Sequence, residues 1–384
     1  MPLRILEVEV DVESPQELNN SSYVLAGLFD LEQAGLVSGV RLTPSLDLHR
    51  GEIHVTPAGA INRSAVRAYK TTFLTVHAGL RTVRLAVDFR DAGFVFPEDG
   101  LQKADLLLKR TFDDECVSIV SRSFSTRIEP TGLVLRARSS FDRDWRLLAA
   151  NYALVSMLSA TKFDRALVGR WRKAWSSIRQ DLKQAQEGNQ PTSMLRPSSS
   201  DSVRPFIFFQ TRTFNRTDDP DANEIHADRA VLIRALRSEF GSQFVGGFVP
   251  DSLSTRLYPD CISPVPTDKS SYYAEMNRAA ICIYTRGLVN SAALKLSEYL
   301  AFGKCIVAEE VKGRLAAPLS NGDTLVHFRS VEECVATCHD LLARPEVRVA
   351  MESSARRYYE LWVEPSAGMH RMLSTALGVS PAMP

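Results

Sequence analysis

From residue 206 onward the chain alternates short apolar runs with stretches of helical period. Runs at 206–210, 244–245, 261–263, 280–284 and 324–328 predict strands. Between them, apolar positions recur at helical spacing over 227–240, 271–278, 331–343 and 345–362. Uninterrupted apolar strands separated by amphipathic helices predict a parallel sheet covered on both faces. Earlier in the chain the same reading gives strands at 3–10, 37–42 and 82–88 and a helix at 22–33, with weaker periodicity. Residues 187–205, EGNQPTSMLRPSSSDSVRP, replace periodicity with three prolines and a serine run, which marks a boundary. The expected organisation is an α/β domain over 1–190 with a helical extension, a linker over 191–205, and a second α/β domain over 206–384.

The stretch from Gly287 to Ala308, GLVNSAALKLSEYLAFGKCIVA, is the most informative. It reads as a loop, a helix of about a dozen residues and a buried strand. Ser291, Lys295 and Glu298 stand at i, i+4 and i+7, which would place them on one helix face, while Leu294, Leu296, Tyr299 and Leu300 cover the other sides. Gly303 is placed to end the helix, and Cys305, Ile306 and Val307 form the strand that follows. A helix opening after a glycine turn directs free N–H groups and a positive dipole end outward, which suits a diphosphate. Lys295 would add a cation, and Glu298 a carboxylate for ribose hydroxyls.

The run Lys295-Leu296-Ser297-Glu298-Tyr299-Leu300-Ala301, with Gly303, Lys304, Ile306 and Val307, resembles the donor-nucleotide motif of GT-B glycosyltransferases, K-L-x-E-Y-L-A-x-G-K-P-V-V. The resemblance implies two Rossmann-like domains facing a central cleft, a nucleotide-sugar donor held by the C-terminal one, and ribose binding by Glu298. Retaining members often carry a second Glu eight residues before the first; here that position is Asn290.

Ligands of open parallel sheets bind beyond the carboxyl ends of the strands. Thr211, Arg212 and Thr213 follow one strand there, and Thr285, Arg286 and Gly287 follow another. Arg212, or Arg216 behind it, matches the cation that GT-B enzymes offer to the leaving phosphate, an electrostatic role that needs no metal; pairing with Asp218 or Asp219 is the alternative. Lys269, at the entry to the 271–278 helix, is a further substrate-binding candidate. An inverting enzyme needs a base near the acceptor hydroxyl, and Asp88, ending an apolar strand, is the first choice among Asp88, Asp91, His49 and His77. Its structural alternative is to cap the following turn. Lys109 and Arg110 follow another apolar run and could hold an anionic acceptor.

Composition narrows the remaining classes. The 384 residues are 45% hydrophobic and 24% charged with a formal net charge of +1, so no global basicity favours nucleic acid. The N-terminal MPLRILEVEVDVE becomes acidic at once and no run approaches roughly 18 apolar residues, so a cytoplasmic location is expected. The six cysteines form no C-x-x-C and read as reduced core residues, Cys334 and Cys338 included. Between 144 and 186 an apolar stripe of Phe163, Leu167, Trp171, Trp175, Ile178 and Leu182 is bordered by Arg and Lys. Such a helix could lie on an anionic membrane surface or pack on its own domain. No G-x-S-x-G, P-loop or H-E-x-x-H occurs.

The reading is therefore a metal-independent glycosyltransferase, without a separate cofactor, acting on a glycan, lipid-linked or protein acceptor. A sugar-nucleotide epimerase or hydrolase, or a non-catalytic GT-B-like subunit that binds a glycan or a partner, are its alternatives.

Overall fold

The computed structural model of the chain describes residues 6–12, 15–44, 50–67, 70–140, 189–197 and 204–379, together with Gly169, Arg172 and Ser176. Two compact units result. One comprises Met1–Met194, Gly313–Ala316 and Leu361–Pro384, the other Leu195–Lys312 and Ala317–Glu360. Apart from Gly169, Arg172 and Ser176, the basic stripe expected over 144–186 lies outside the described residues, as does the base candidate His49.

In the first unit the elements run β1 (Leu6–Val12), α1 (Pro15–Gln33), β2 (Gly39–Pro44), β3 (Arg50–Val55), β4 (Ile61–Arg67), β5 (Thr71–Ala78), β6 (Arg81–Asp88), β7 (Val95–Pro97), α2 (Glu98–Lys103), β8 (Leu106–Lys109), α3 (Asp114–Ser121) and β9 (Arg127–Pro130), with a two-residue pair β10 (Ala137–Arg138) and β11 (Gln190–Pro191). Six of the strands form one sheet, ordered β2-β1-β5-β6-β8-β9. Only β5 runs against the rest: it pairs antiparallel with both β1 and β6, while β1 with β2 and β6 with β8 and β9 are parallel. A tight hairpin thus interrupts an otherwise parallel sheet. The antiparallel set β4-β3-β7 packs Ile53, Val55 and Phe96 with Ala86, Leu107 and Ile128 of the main sheet.

The second unit holds β12 (Arg204–Thr211), α4 (Pro220–Phe240), β13 (Phe244–Phe248), α5 (Ser252–Leu257), α6 (Lys269–Arg278), β14 (Ala279–Tyr284), α7 (Leu294–Ala301), β15 (Cys305–Glu309), β16 (Val326–Phe328), α8 (Val331–Ala343) and α9 (Pro345–Tyr358). Its sheet is wholly parallel in the order β13-β12-β14-β15-β16. Ile262 adds a parallel bridge outside β13 at Phe248. Counted in chain order with that bridge, the arrangement is 3-2-1-4-5-6, the Rossmann order. Alternation along the strands explains the two covered faces. Ile207, Phe209, Ile281, Ile283, Cys305 and Val307 pack with Ile233 and Leu236 of α4 and with Cys334 and Cys338 of α8. Phe208, one position out of phase, meets Tyr272 of α6 with ring centroids 5.6 Å apart. Both α8 cysteines are fully buried in this apolar cluster.

The final helix, α10 (Pro365–Leu377), belongs to the first unit, so the second domain does not continue to residue 384 as expected. Its partner is α1. Gly368 lies against the Tyr23 hydroxyl and Gly27 against the Pro365 carbonyl, each too close to admit a Cβ, so glycine at both positions lets the helices cross at short range. Periodicity along 345–384 shows that these helices are half-buried, and cannot show on which unit. No helix among the described residues is long and apolar enough to cross a membrane.

Candidate functional site

The crossover from β12 leads through α4 to β13 on one side, while that from β14 leads through α7 to β15 on the other. The strand order therefore reverses between β12 and β14, and their carboxyl ends carry Thr211-Arg212 and Thr285-Arg286-Gly287. The site candidates of the second unit gather around this reversal.

Between β14 and α7 the chain does not go straight into a helix. Val289 (φ 50°, ψ 42°) and Asn290 (φ 59°) take left-handed conformations, a costly choice for a β-branched residue. Asp221, in the first turn of α4, compensates: its carboxylate accepts from the Val289 N–H at 2.7 Å and from the Arg286 guanidinium at 2.5 Å. Gly287 donates its N–H to the Ser291 carbonyl at 2.9 Å. Ser291 is buried and extended (φ −68°, ψ 148°), ahead of the helix. It therefore does not share a helix face with Lys295 and Glu298, and α7 is a helix of 8 residues. Helical period is the same whether the first turn forms or is replaced by a strained loop of that length, so the pattern alone placed the start too early.

Helix α7 begins with no side-chain cap and no acidic residue in its first turn. Ala293 at its N-cap donates its own N–H to the Tyr284 hydroxyl at 3.1 Å. Lys295 stands in that first turn, half-buried, with its ammonium 5.8 Å from the centre of the Tyr272 ring. Burial brings its amine down to about 7; Arg229, Arg212 and Lys269 push the same way and Glu298 opposes them. Among the described residues no carboxylate forms an ion pair with it. Arg212 is exposed, and it is Arg216 that pairs with Asp219, at 3.7 Å. Thr211 is buried at the end of β12, its carbonyl accepting from the Val249 N–H at 2.7 Å. Asn290 is exposed.

Glu298 is held by Lys269, whose ammonium reaches its carboxylate, and by the Tyr273 hydroxyl at 3.2 Å. Lys269 also lies 5.0 Å from the Tyr273 ring centre. The structure thus brings Lys269, Lys295 and Glu298 together. It does not leave Arg286 available: its guanidinium is engaged by Asp221 and, at 3.5 Å, by Glu224.

Sequence reasoning missed Arg229. This residue of α4 is only 5% exposed and sits among Ile225, Ala230, Leu232 and Ile233. Its guanidinium donates to the Thr285 hydroxyl at 3.0 Å, the Arg212 carbonyl at 2.9 Å and the Arg286 carbonyl at 2.8 Å. Burial brings it down to about 10. The available signal was a cation on the apolar stripe of a helix flanking a strand end.

In the first unit, Asp88 is not open to a substrate. It is fully buried, with Lys109 at 3.0 Å and Arg90 at 2.5 Å on its two oxygens. Burial alone would raise its carboxyl; Lys109 and Arg90 outweigh that and hold it below the ordinary value. Arg90 continues to Glu52 at 2.8 Å, and Lys109 donates to the carbonyls of Val95 at 2.6 Å and Ala92 at 3.2 Å. These partners enclose the carboxylate and leave no exposed oxygen for an acceptor hydroxyl. Lys109 is equally enclosed, and Asp91 is paired with Lys70 and Arg110. His77 sits at the surface beside Thr82 and Glu9.

No family model and no curated protein matches the chain. Solved structures that resemble it include a glycosyltransferase from Rickettsia africae ESF-5, with 10% identity over 72% of this chain and 76% of that one and a TM-score of 0.35. Another is Anabaena Alr3699/HepE in complex with UDP and glucose, with 10% identity over 71% and 92% of the two chains and a TM-score of 0.37. A third is S. aureus MnaA with UDP, with 14% identity over 73% and 78% and a TM-score of 0.34.

Proposed function

We propose that the second unit binds a nucleotide-diphosphate sugar at the β12/β14 reversal and that the chain transfers the sugar to a hydroxyl acceptor without a metal ion. The observation that carries this reading is the charge arrangement around the start of α7. An uncapped helix N-terminus, Lys295 and Arg212 offer positive charge to a diphosphate, and Glu298 lies one turn further along as a carboxylate for ribose hydroxyls. Lys295 meets the charges of three further cations, Arg229, Arg212 and Lys269, against one carboxylate, Glu298, a costly set unless an anion joins it. The likeness of residues 295–307 to the donor motif of GT-B enzymes supports the same assignment.

With Asp88 enclosed, no base is assigned in the first unit. A transfer that retains configuration needs none, whereas an inverting one would. Asn290, where retaining members often carry Glu, and the enclosure of Asp88 favour as second reading a subunit that binds a nucleotide or glycan without turnover. An epimerase or hydrolase differs only in product, and product analysis separates it.

Calorimetric titration with UDP, GDP, ADP, TDP and CMP, with and without magnesium, tests the donor site. One nucleotide is expected to bind equally in both conditions. Its affinity should fall about tenfold, or 1.4 kcal/mol, in Glu298→Ala. Failure of all five to bind would leave the non-catalytic glycan- or partner-binding role as the better account.

A further inference from the structure

We infer that Arg229 is a positioning residue for the phosphate-binding cations: by tying both loops of the β12/β14 reversal together within electrostatic reach of Lys295, it builds an anion seat it does not itself line. The inference rests on the phosphate-seat reading above. Its geometric basis is the three-pronged contact of one guanidinium with the Arg212 and Arg286 carbonyls and the Thr285 hydroxyl, which fixes the backbone that presents Arg212 and the loop that leads into α7. All three acceptors are neutral. Buried arginines ordinarily meet a carboxylate; the carboxylate nearest in electrostatic effect, Glu309, accepts from the Arg286 N–H at 2.6 Å and is itself pushed up by burial.

The other groups around Arg229 do not neutralise it. Phe214 lies 5.3 Å from its guanidinium. His226, one turn earlier on α4, accepts the Phe214 N–H through Nε2 at 2.7 Å, and burial and Arg229 hold its imidazole below the usual value, in the neutral form. Tyr284 and Arg286 complete its surroundings. Lys295 in turn faces Arg229, Arg212, Lys269 and Glu298, with the Tyr272 ring beneath it. The charge of Arg229 adds to the burial that lowers the Lys295 amine, so removing it should raise that amine, and an anion arriving at the seat should draw a proton onto Lys295 from solvent.

Two measurements test this on the full chain. Competitive acetylation with trace acetic anhydride, read by mass spectrometry across pH, follows Lys295 without any ligand. The wild type should show its half-point near 7, and Arg229→Met should raise it, slowing labelling several-fold at neutral pH. Arg229→Lys keeps the charge and loses the fork; its half-point should stay near that of the wild type, and this variant serves if Arg229→Met does not fold. An unmoved half-point in Arg229→Met, or an equal rise in both variants, would overturn the inference. Titration with inorganic pyrophosphate in buffers of different ionisation enthalpy supplies the second readout. Proton uptake is expected in the wild type and its loss in Arg229→Met, with weaker binding at unchanged uptake in Arg229→Lys. If pyrophosphate fails to bind the wild type while the half-point moves as stated, the coupling stands and the phosphate-seat reading falls.

Discussion

Asp88→Ala is expected to destabilise the protein by about 3–5 kcal/mol, because it leaves Lys109 and Arg90 buried without their shared counter-charge. Lys109 would retain the carbonyls of Val95 and Ala92 and the face of the Phe96 ring, and Arg90 would retain Glu52 and the Thr71 hydroxyl. Urea denaturation measures the loss, and the nucleotide affinity proposed for the other unit should be preserved in the folded fraction. A fall of less than about 1 kcal/mol together with abolished turnover would restore Asp88 as a base. The pH dependence has a definite sign. The folded carboxyl lies below its ordinary 3.8, so its contribution is present above that value and is lost as pH falls through the lower folded one. The wild type should therefore lose more stability than the variant over that acidic window.

Lys295→Met is expected to weaken nucleotide-diphosphate binding by about 2–3 kcal/mol, roughly 30- to 150-fold in Kd, since it removes a charged donor from the phosphates. Calorimetry of the nucleotide that binds the wild type decides it; a loss below about threefold would remove Lys295 from the site. Because burial brings its amine down to about 7, wild-type affinity should decline as pH rises through 7, and the variant should lack that decline. Stability moves the other way. The folded value lies below the ordinary 10.5, so the unfolded chain holds more protons between about 7 and that value, and the cost of charging Lys295 is greatest below 7. Below pH 7 the ligand-free variant should be the more stable protein, as expected where a binding site holds unneutralised charge.

The second unit was legible because its strands are covered on both faces. Residues 280–284 are apolar throughout and 279–284 are buried throughout, so reading the run and reading its burial are nearly the same act. Gly303, placed as a helix stop, has φ +55° at the end of α7. Lys295 and Glu298 share one turn of helix, which spacing alone specifies. What failed was whatever depended on distant partners. Asp88 looked like a residue at a cleft because it ends an apolar strand; Lys109, 21 positions later, and Arg90 enclose it. Arg286 follows a strand as a ligand residue would, yet Asp221, in the crossover between β12 and β13, engages it.

The sequence by itself determined the local terms: which segments alternate or repeat at helical period, where glycine ends a helix, and which cation and carboxylate lie one turn apart on α7. The tertiary structure alone decided which charges are neutralised. It enclosed Asp88, engaged Arg286, returned α10 to α1, and set Arg229 against neutral acceptors beside Lys295. The physical reason is that periodicity records how far each side chain should be buried, a property of its own element. The state of a buried charge depends on which groups meet it across the fold, and those contacts join residues 21, 56 and 65 positions apart.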